Sequence, residues 1–62
     1  MSFIRIKSFI VALDTIAYIY KHGEQCIGIK FKDKSIAEIV AMFDSEEKRD
    51  VTFDLICEKI FS

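Results

Sequence analysis

The residues that most resemble a catalytic pair are His22 and Glu24, which flank Gly23 in the stretch KHGEQ. Enzymes use a histidine beside a carboxylate for general acid–base catalysis. This stretch reads as a hairpin loop, however, and a histidine at a loop tip is normally just solvated. No serine lies in a nucleophile motif, and neither glycine of the chain belongs to a phosphate-binding loop. We therefore expect a protein that is not an enzyme.

The two cysteines, Cys26 and Cys57, have no second Cys or His at metal-binding spacing. A disulfide between them is one alternative, and two small buried side chains in a reducing cytosol are the simpler one. Cys57 lies near the negative end of a predicted helix, which disfavours a thiolate nucleophile. The acidic residues of that helix would point outward in a row instead of converging on an ion. We predict neither a metal site nor a cofactor.

A set of basic and aromatic residues on predicted strands is the pattern that most resembles a binding site. Basic residues alternate with apolar ones in FIRIK and in IGIKFK, and IAYIY contains two tyrosines. If these strands are neighbours, one sheet face could hold phosphates by charge and stack bases on tyrosine. The residues of this predicted anion-binding face are Arg5, Lys7, Tyr18, Tyr20, Lys30 and Lys32.

Two observations weaken the anion-binding interpretation. The net charge of the chain is −1, whereas nucleic-acid-binding domains are usually strongly basic. Lysines on strands also protect sheets against edge-to-edge aggregation. The same basic residues could therefore protect the sheet edges or pair subunits, and neither role requires a ligand.

The strands that must position these residues are predicted from the spacing of apolar side chains. In the first two thirds of the chain, apolar and polar residues alternate as they do in β-strands. FIRIK begins the first strand, FIVAL continues it or forms a brief second one, and IAYIYK, CIGIKFK and IAEIVAMF form the others. In IAYIYK we expect Ile16, Tyr18 and Tyr20 on one face and Ala17 and Ile19 on the other.

The loop before the last predicted strand decides how that strand pairs. A two-residue turn would set Glu38 opposite Ile29, on the core face, and burying an unpaired carboxylate is costly. A three-residue loop over residues 33–35 pairs Ile29 with Ile39 instead and leaves Glu38 outside, opposite Lys30. We predict the three-residue loop.

A helix is predicted after the strands, from about Ser45 to about Ile60. Asp44 and Glu47 have the spacing of a capping box, and acidic residues in the first turn suit the positive end of the helix dipole. The predicted fold is a single small α+β domain over residues 1–62. It consists of an antiparallel β-meander of three to four strands followed by one C-terminal α-helix packed on the sheet.

Apolar side chains fall on two sides of this helix. At about 100° per residue, Val51 and Leu55 lie near one direction, and a second group that includes Phe53 and Ile56 lies nearly opposite. A helix whose back faces water has a single apolar stripe, so we expect one side to cover the sheet and the other to contact a second copy. Val51 and Leu55 as scattered surface residues are the alternative. The residues predicted for the contact are Val51, Phe53, Leu55 and Ile56.

Length and composition favour self-association. A chain of 62 residues buries only about 60% of the surface that its unfolded form exposes, yet 52% of these residues are hydrophobic. Charge is also separated along the chain. Six basic and three acidic residues occur up to Lys34, and three basic and seven acidic residues from Ser35 onward. An acidic helix could thus contact basic strands of the same or a second copy.

These observations lead to two functional hypotheses. No apolar stretch approaches the ~20 residues of a membrane span, and the N-terminal apolar segment is too short for a signal peptide. We expect a cytoplasmic, non-enzymatic interaction or regulatory protein that acts as a homo-oligomer, with a dimer favoured, and binds a protein partner. The alternative is an oligomer that binds a nucleotide or single-stranded nucleic acid through the anion-binding face.

Overall fold

The computed structural model describes residues 2–61 and confirms an α+β fold. Five strands precede one helix, and a short 3₁₀ turn, Leu13–Thr15, separates the second strand from the third. The elements are β1 (Phe3–Ile6), β2 (Phe9–Ala12), β3 (Ile16–His22), β4 (Cys26–Phe31), β5 (Ile39–Met42) and α1 (Glu46–Phe61). The strand count exceeds the predicted three to four because the FIVAL segment turns back on the first strand.

The strands form two antiparallel sheets. β1 and β2 make a two-stranded hairpin, and β3, β4 and β5 follow one another in a three-stranded meander. Ile29 pairs with Ile39, which confirms the predicted register of β4 and β5. The predicted three-residue loop is wrong, because β4 ends at Phe31 and β5 begins at Ile39, so that residues 32–38 form the loop. Within that loop, Asp33 Oδ1 accepts hydrogen bonds from the Ser35 amide at 2.9 Å and from the Ser35 hydroxyl at 2.7 Å. These bonds also lower the pKa of Asp33, because they favour its charged form.

The predicted faces of β3 are wrong at its beginning. The register with β4 shifts between Ile16 and Tyr18, so Ala17 is an extra residue in a β-bulge. A bulge interrupts the alternation of side chains. Ile16 therefore shares the core face with Ile19, and Tyr18 and Tyr20 lie on the opposite face.

The hydrophobic core is enclosed by the three-stranded sheet, the β1–β2 hairpin and the helix. Its most deeply buried side chains are Ile6, Ile27, Ile29 and Ile56, each no more than 1% exposed. They come from β1, β4 and α1, so all three parts contribute. Ile56 therefore packs the helix against the sheet of its own chain. The predicted fold, in which one side of the helix covers the sheet, requires such a contact.

The helix begins one residue later than predicted, and its N-cap is Ser45. The Ser45 hydroxyl accepts a hydrogen bond from the amide of Lys48 at 3.2 Å, and the Ser45 carbonyl accepts from the amide of Arg49 at 3.1 Å. These are the bonds that define an N-cap. The predicted capping box of Asp44 and Glu47 is therefore wrong. Asp44 lies before the cap, and its carboxylate forms an exposed ion pair with Lys48 at 3.6 Å.

Arg49 joins the first half of the helix to the loop between β3 and β4. Its side chain is buried, and Nη1 donates to the carbonyls of Gly23 at 3.2 Å and Cys26 at 3.1 Å. Its Nε donates to the carboxylate of Asp50 at 2.7 Å. Gly23 lies in this loop at a φ of 62°, a conformation that glycine adopts readily. The arginine thus bonds to one carbonyl of the loop and to one at the start of β4.

Candidate functional site

The three-stranded sheet has one face that neither the helix nor the hairpin covers, which we call the open face. Tyr18, Val40 and Met42 on this face are 55%, 46% and 65% exposed. The side chains that define the open face are Tyr18, Tyr20, His22, Lys30, Val40 and Met42. His22, which the sequence placed in a loop, is the last residue of β3 and pairs with Cys26. The open face therefore combines aromatic, aliphatic and basic groups.

Three rings form a row along β3 on the open face. The ring centroids of Tyr18 and Tyr20 lie 6.0 Å apart, and those of Tyr20 and His22 also lie 6.0 Å apart. The row exists because residues two apart on a strand point to the same side. The middle ring is held in place, since the Tyr20 hydroxyl donates to Glu38 Oε1 at 2.6 Å. That hydrogen bond, with partial desolvation and the Glu38 charge, raises the pKa of Tyr20.

The structure brings together half of the predicted anion-binding residues. Tyr18 lies directly opposite Lys30, and Tyr20 is the next residue of the same face. Arg5 belongs to the separate β1–β2 hairpin, where its Nε donates to the carbonyl of Lys7 at 3.1 Å. The prediction that these six residues share one face required their strands to be neighbours, and β1 does not meet this condition, because it belongs to a separate sheet.

Lys7 and Lys32 lie outside the strands that form the open face. Lys32 follows the end of β4, and its amide donates to the carbonyl of Thr15 at 2.9 Å. Lys7 stands at the tip of the β1–β2 hairpin with a φ of 56°. Its Nζ donates to the carbonyl of Met42 and lies 5.4 Å from the centroid of the Phe43 ring. The Lys7 side chain thus lies at the C-terminal end of β5.

An apolar groove separates β3 from the second half of α1, and we call it the β3–α1 groove. Its volume is about 290 Å³. Its lining residues are Leu13, Ile16, Ala17, Tyr18, Ile19, Phe53, Cys57, Ile60 and Phe61. At the next turn of the helix, Lys21 Nζ lies 3.3 Å from Asp50 Oδ1 and 5.3 Å from the centroid of the Phe53 ring. The sequence pattern does not reveal this groove, because the bulge at Ala17 helps to line it.

The residues predicted to contact a second copy are found in three places. Val51 and Leu55 are 56% and 54% exposed on the outside of the helix, and we call this pair the outer helix stripe. Phe53 is half-buried and lines the β3–α1 groove. Ile56 is buried in the core, so in this fold a partner cannot reach it. A contact through all four residues at once is therefore ruled out by the geometry.

Within residues 2–61, His, Cys, Asp and Glu side chains nowhere form a group of three that could hold a metal ion. The helix of that region lacks the length and apolar character needed to cross a membrane. Cys26 and Cys57 are both free thiols. Comparison of the chain with protein-family models, curated proteins and solved structures gives no match.

Proposed function

We propose that the protein is a non-enzymatic cytosolic interaction module that works as a homo-oligomer, in its simplest form a dimer, and binds or regulates another protein. The supporting observation is the amount of apolar surface that folding leaves exposed. Large hydrophobic side chains that stay exposed occur on the hairpin, the open face, the loop between β4 and β5 and both sides of the helix. Within residues 2–61 they are Phe3, Phe9, Ile10, Tyr18, Ile36, Val40, Met42, Val51, Leu55, Ile60 and Phe61.

The surface area of the folded chain agrees with this proposal. Its accessible surface is 4457 Å², compared with about 4,100 Å² for an average monomer of this mass. An interface of ordinary size buries about 800 Å² on each partner. One such contact would therefore cover roughly a fifth of the surface, and the exposed side chains are numerous enough to supply a second contact.

A cytosolic location is supported by the two thiols. Cys26 and Cys57 are partly accessible and do not form a disulfide with each other. In oxidising compartments, small domains commonly rely on disulfides for stability. A reducing compartment would keep both cysteines as free thiols, which is their state in the structure.

Measurement of the mass in solution tests the proposal. We expect sedimentation equilibrium at micromolar concentrations to give a multiple of the 7.2 kDa chain mass, and dilution to lower it. A mass of one chain at every concentration would contradict self-association.

A second candidate function is the binding of a nucleotide or single-stranded nucleic acid, and the pairing of Tyr18 with Lys30 beside Tyr20 favours it. Stacking on the tyrosines and attraction of a phosphate to Lys30 would supply the binding energy. An oligonucleotide should then quench tyrosine fluorescence, less at higher salt. Lys30→Glu should weaken this binding, whereas Lys48→Glu, an exposed helix position, should not. Quenching that is absent or insensitive to salt would exclude this function.

A further inference from the structure

We propose that the β3–α1 groove is the surface through which two copies of this chain join. The unpaired edges of the two β3 strands lie side by side, antiparallel, and Phe61 of each copy enters the groove of the other. This inference rests on the proposed function, since it names the contact that makes the homo-oligomer. It replaces the outer helix stripe as the site of that contact.

The free edge of β3 is the first support. β3 has seven residues and pairs with β4 on one side, while no strand within residues 2–61 pairs with its other side. An open strand edge is a template for pairing with another chain. The opposite edge of the sheet is less available, because β5 has four residues and Lys7 bonds to the carbonyl of Met42. The two edges therefore differ, and β3 is the one left open.

The backbone of β3 can accept a partner strand along part of its length. The hydrogen bond from the Phe43 amide to the Gln25 carbonyl continues the β4–β5 ladder. The backbone N–H and C=O groups of alternate β4 residues therefore bond to β5, and those of the residues between them bond to β3. With the register of β3, this leaves the backbone groups of Ile19 and Lys21 on the free edge. Because the groove lies beside residues 16–19, antiparallel pairing about a twofold axis near Tyr18 would bring Phe61 of one copy to the groove of the second copy, with Ile19 of each copy opposite Ala17 of the other.

The groove beside this edge is the second support, because it is self-complementary. Phe61 lies at the groove and is the most exposed large apolar side chain of the described chain, at 84%. In a twofold dimer each copy presents both a groove and a Phe61, so each can fill the other. A buried phenylalanine contributes on the order of 150–250 Å² of contact area. Ile60, at 36% exposed, would be covered by the same contact.

Charge does not oppose this arrangement. Lys21 and Asp50 stand at one end of the groove and neutralise each other at 3.3 Å. A second copy placed along the β3 edge therefore meets this ion pair, in which Asp50 is shared with Arg49, and the uncharged residues that line the groove. The outer helix stripe is a weaker candidate, since two half-exposed side chains on a convex surface cover too little area for an interface of about 800 Å² per partner.

Single substitutions at exposed positions test the contact by sedimentation. Phe61→Asp removes the side chain that fills the groove, and Ala17→Glu adds a charge at its rim. Ala17 and Phe61 are both exposed, so the fold should persist, and circular dichroism will check this. We expect each variant to weaken dimerisation by about 100-fold, the effect of losing a central contact residue. Leu55→Asp is the matched control on the same helix and should leave the dimer unchanged.

The outcomes separate this inference from the proposed function. If Leu55→Asp dissociates the dimer and the groove variants do not, the groove is overturned as the interface while the homo-oligomer stands. If the unaltered protein is a monomer, both are overturned.

The two thiols provide a second measurement. Cys57 lines the groove, whereas Cys26 lies on the opposite side of the sheet, and both are partly accessible. Labelling of Cys57 should therefore slow as protein concentration rises, while labelling of Cys26 stays constant. A dimer in which Cys57 reacts at the same rate at all concentrations would overturn the inference.

Discussion

The ring of Tyr20 occupies the space beside Gly28 that a side chain at position 28 would fill. The two residues are direct partners on β3 and β4, and a Cβ added to Gly28 would lie 2.2 Å from Tyr20 Cζ. A glycine inside a strand weakens it because it has no side chain to pack. Here the neighbouring ring covers the bare backbone, as aromatic residues do beside strand glycines. The same position allows the Tyr20 hydroxyl to reach Glu38 beyond β4.

Gly28→Ala should therefore displace the Tyr20 ring while the fold persists. The colliding atoms are the far end of a side chain, which can rotate away. The hydrogen bond to Glu38 would be lost, and the raised pKa of Tyr20 should fall back toward 10.0. Absorbance titration of tyrosinate, in a Tyr18→Phe background, measures this.

A double-mutant cycle provides the control for the Tyr20–Gly28 contact. In a Tyr20→Leu background, Gly28→Ala should cost less free energy of unfolding than it does in the original chain. Equal costs, or an unchanged pKa of Tyr20 in the single variant, would contradict the proposed contact.

The sequence predicts side-chain faces correctly wherever alternation is unbroken. Ile27, Ile29 and Phe31 alternate without interruption along β4, and all three are buried. In β3 the same rule fails after Ile16, because the bulge at Ala17 shifts every later residue to the other face. The alternation in IAYIYK does not reveal a bulge, because the register shift is a feature of the pairing between β3 and β4.

The contact surface of the helix was only partly predictable for a different reason. The helical periodicity correctly groups Phe53 with Ile56 and separates them from Val51 and Leu55. Both groups are apolar, so periodicity alone does not say which one covers the sheet. The burial of Arg49 could not be predicted either. Its hydrogen-bond partners are the backbone carbonyls of Gly23 and Cys26, which are distant in sequence. Such contacts depend on the position of the β3–β4 loop relative to the helix, and the sequence pattern does not predict that position.

Ser45→Ala should destabilise the protein by about 1 kcal/mol, the usual cost of losing a helix N-cap. The lost bond is that from the Lys48 amide to the Ser45 hydroxyl. Asp44→Ala is the matched control, because the ion pair of Asp44 with Lys48 is exposed and such pairs contribute little. Urea unfolding measures both. A larger loss for Asp44→Ala than for Ser45→Ala would restore Asp44 as the cap.

Arg49→Lys should lower the free energy of unfolding by roughly 1.5–3 kcal/mol, although it keeps the charge. A lysine ammonium cannot reproduce the planar guanidinium that reaches two carbonyls and a carboxylate together. Hydrogen exchange should show faster opening of the β3–β4 loop. Lys48→Arg, the reverse exchange at the neighbouring exposed position, should change stability by no more than about 0.5 kcal/mol. A stable Arg49→Lys variant would show that the loop does not need these bonds.

Acid should destabilise the protein partly through Asp50. The hydrogen bond from Arg49, with further contributions from Lys21, holds the pKa of Asp50 below its usual value. The folded state therefore binds the proton of Asp50 less tightly than the unfolded state does. The resulting stabilisation is fully present above the unfolded pKa of about 3.9 and is lost as the pH falls through the folded pKa. Urea unfolding measured from neutral pH down to that range should show this loss.

Asp50→Asn isolates the contribution of Asp50 to the acid response. The variant should be less stable than the original chain at neutral pH, and the difference should shrink as the pH falls, because the original chain loses the same interaction when Asp50 is protonated. Some acid dependence must remain, since the pKa of Asp33 is also lowered by its bonds to Ser35. Asp54→Asn removes an equal charge one turn further along the helix and is the matched control for the loss of charge alone. A constant difference between the original chain and Asp50→Asn at all pH values would mean that the carboxylate charge of Asp50 does not stabilise the fold.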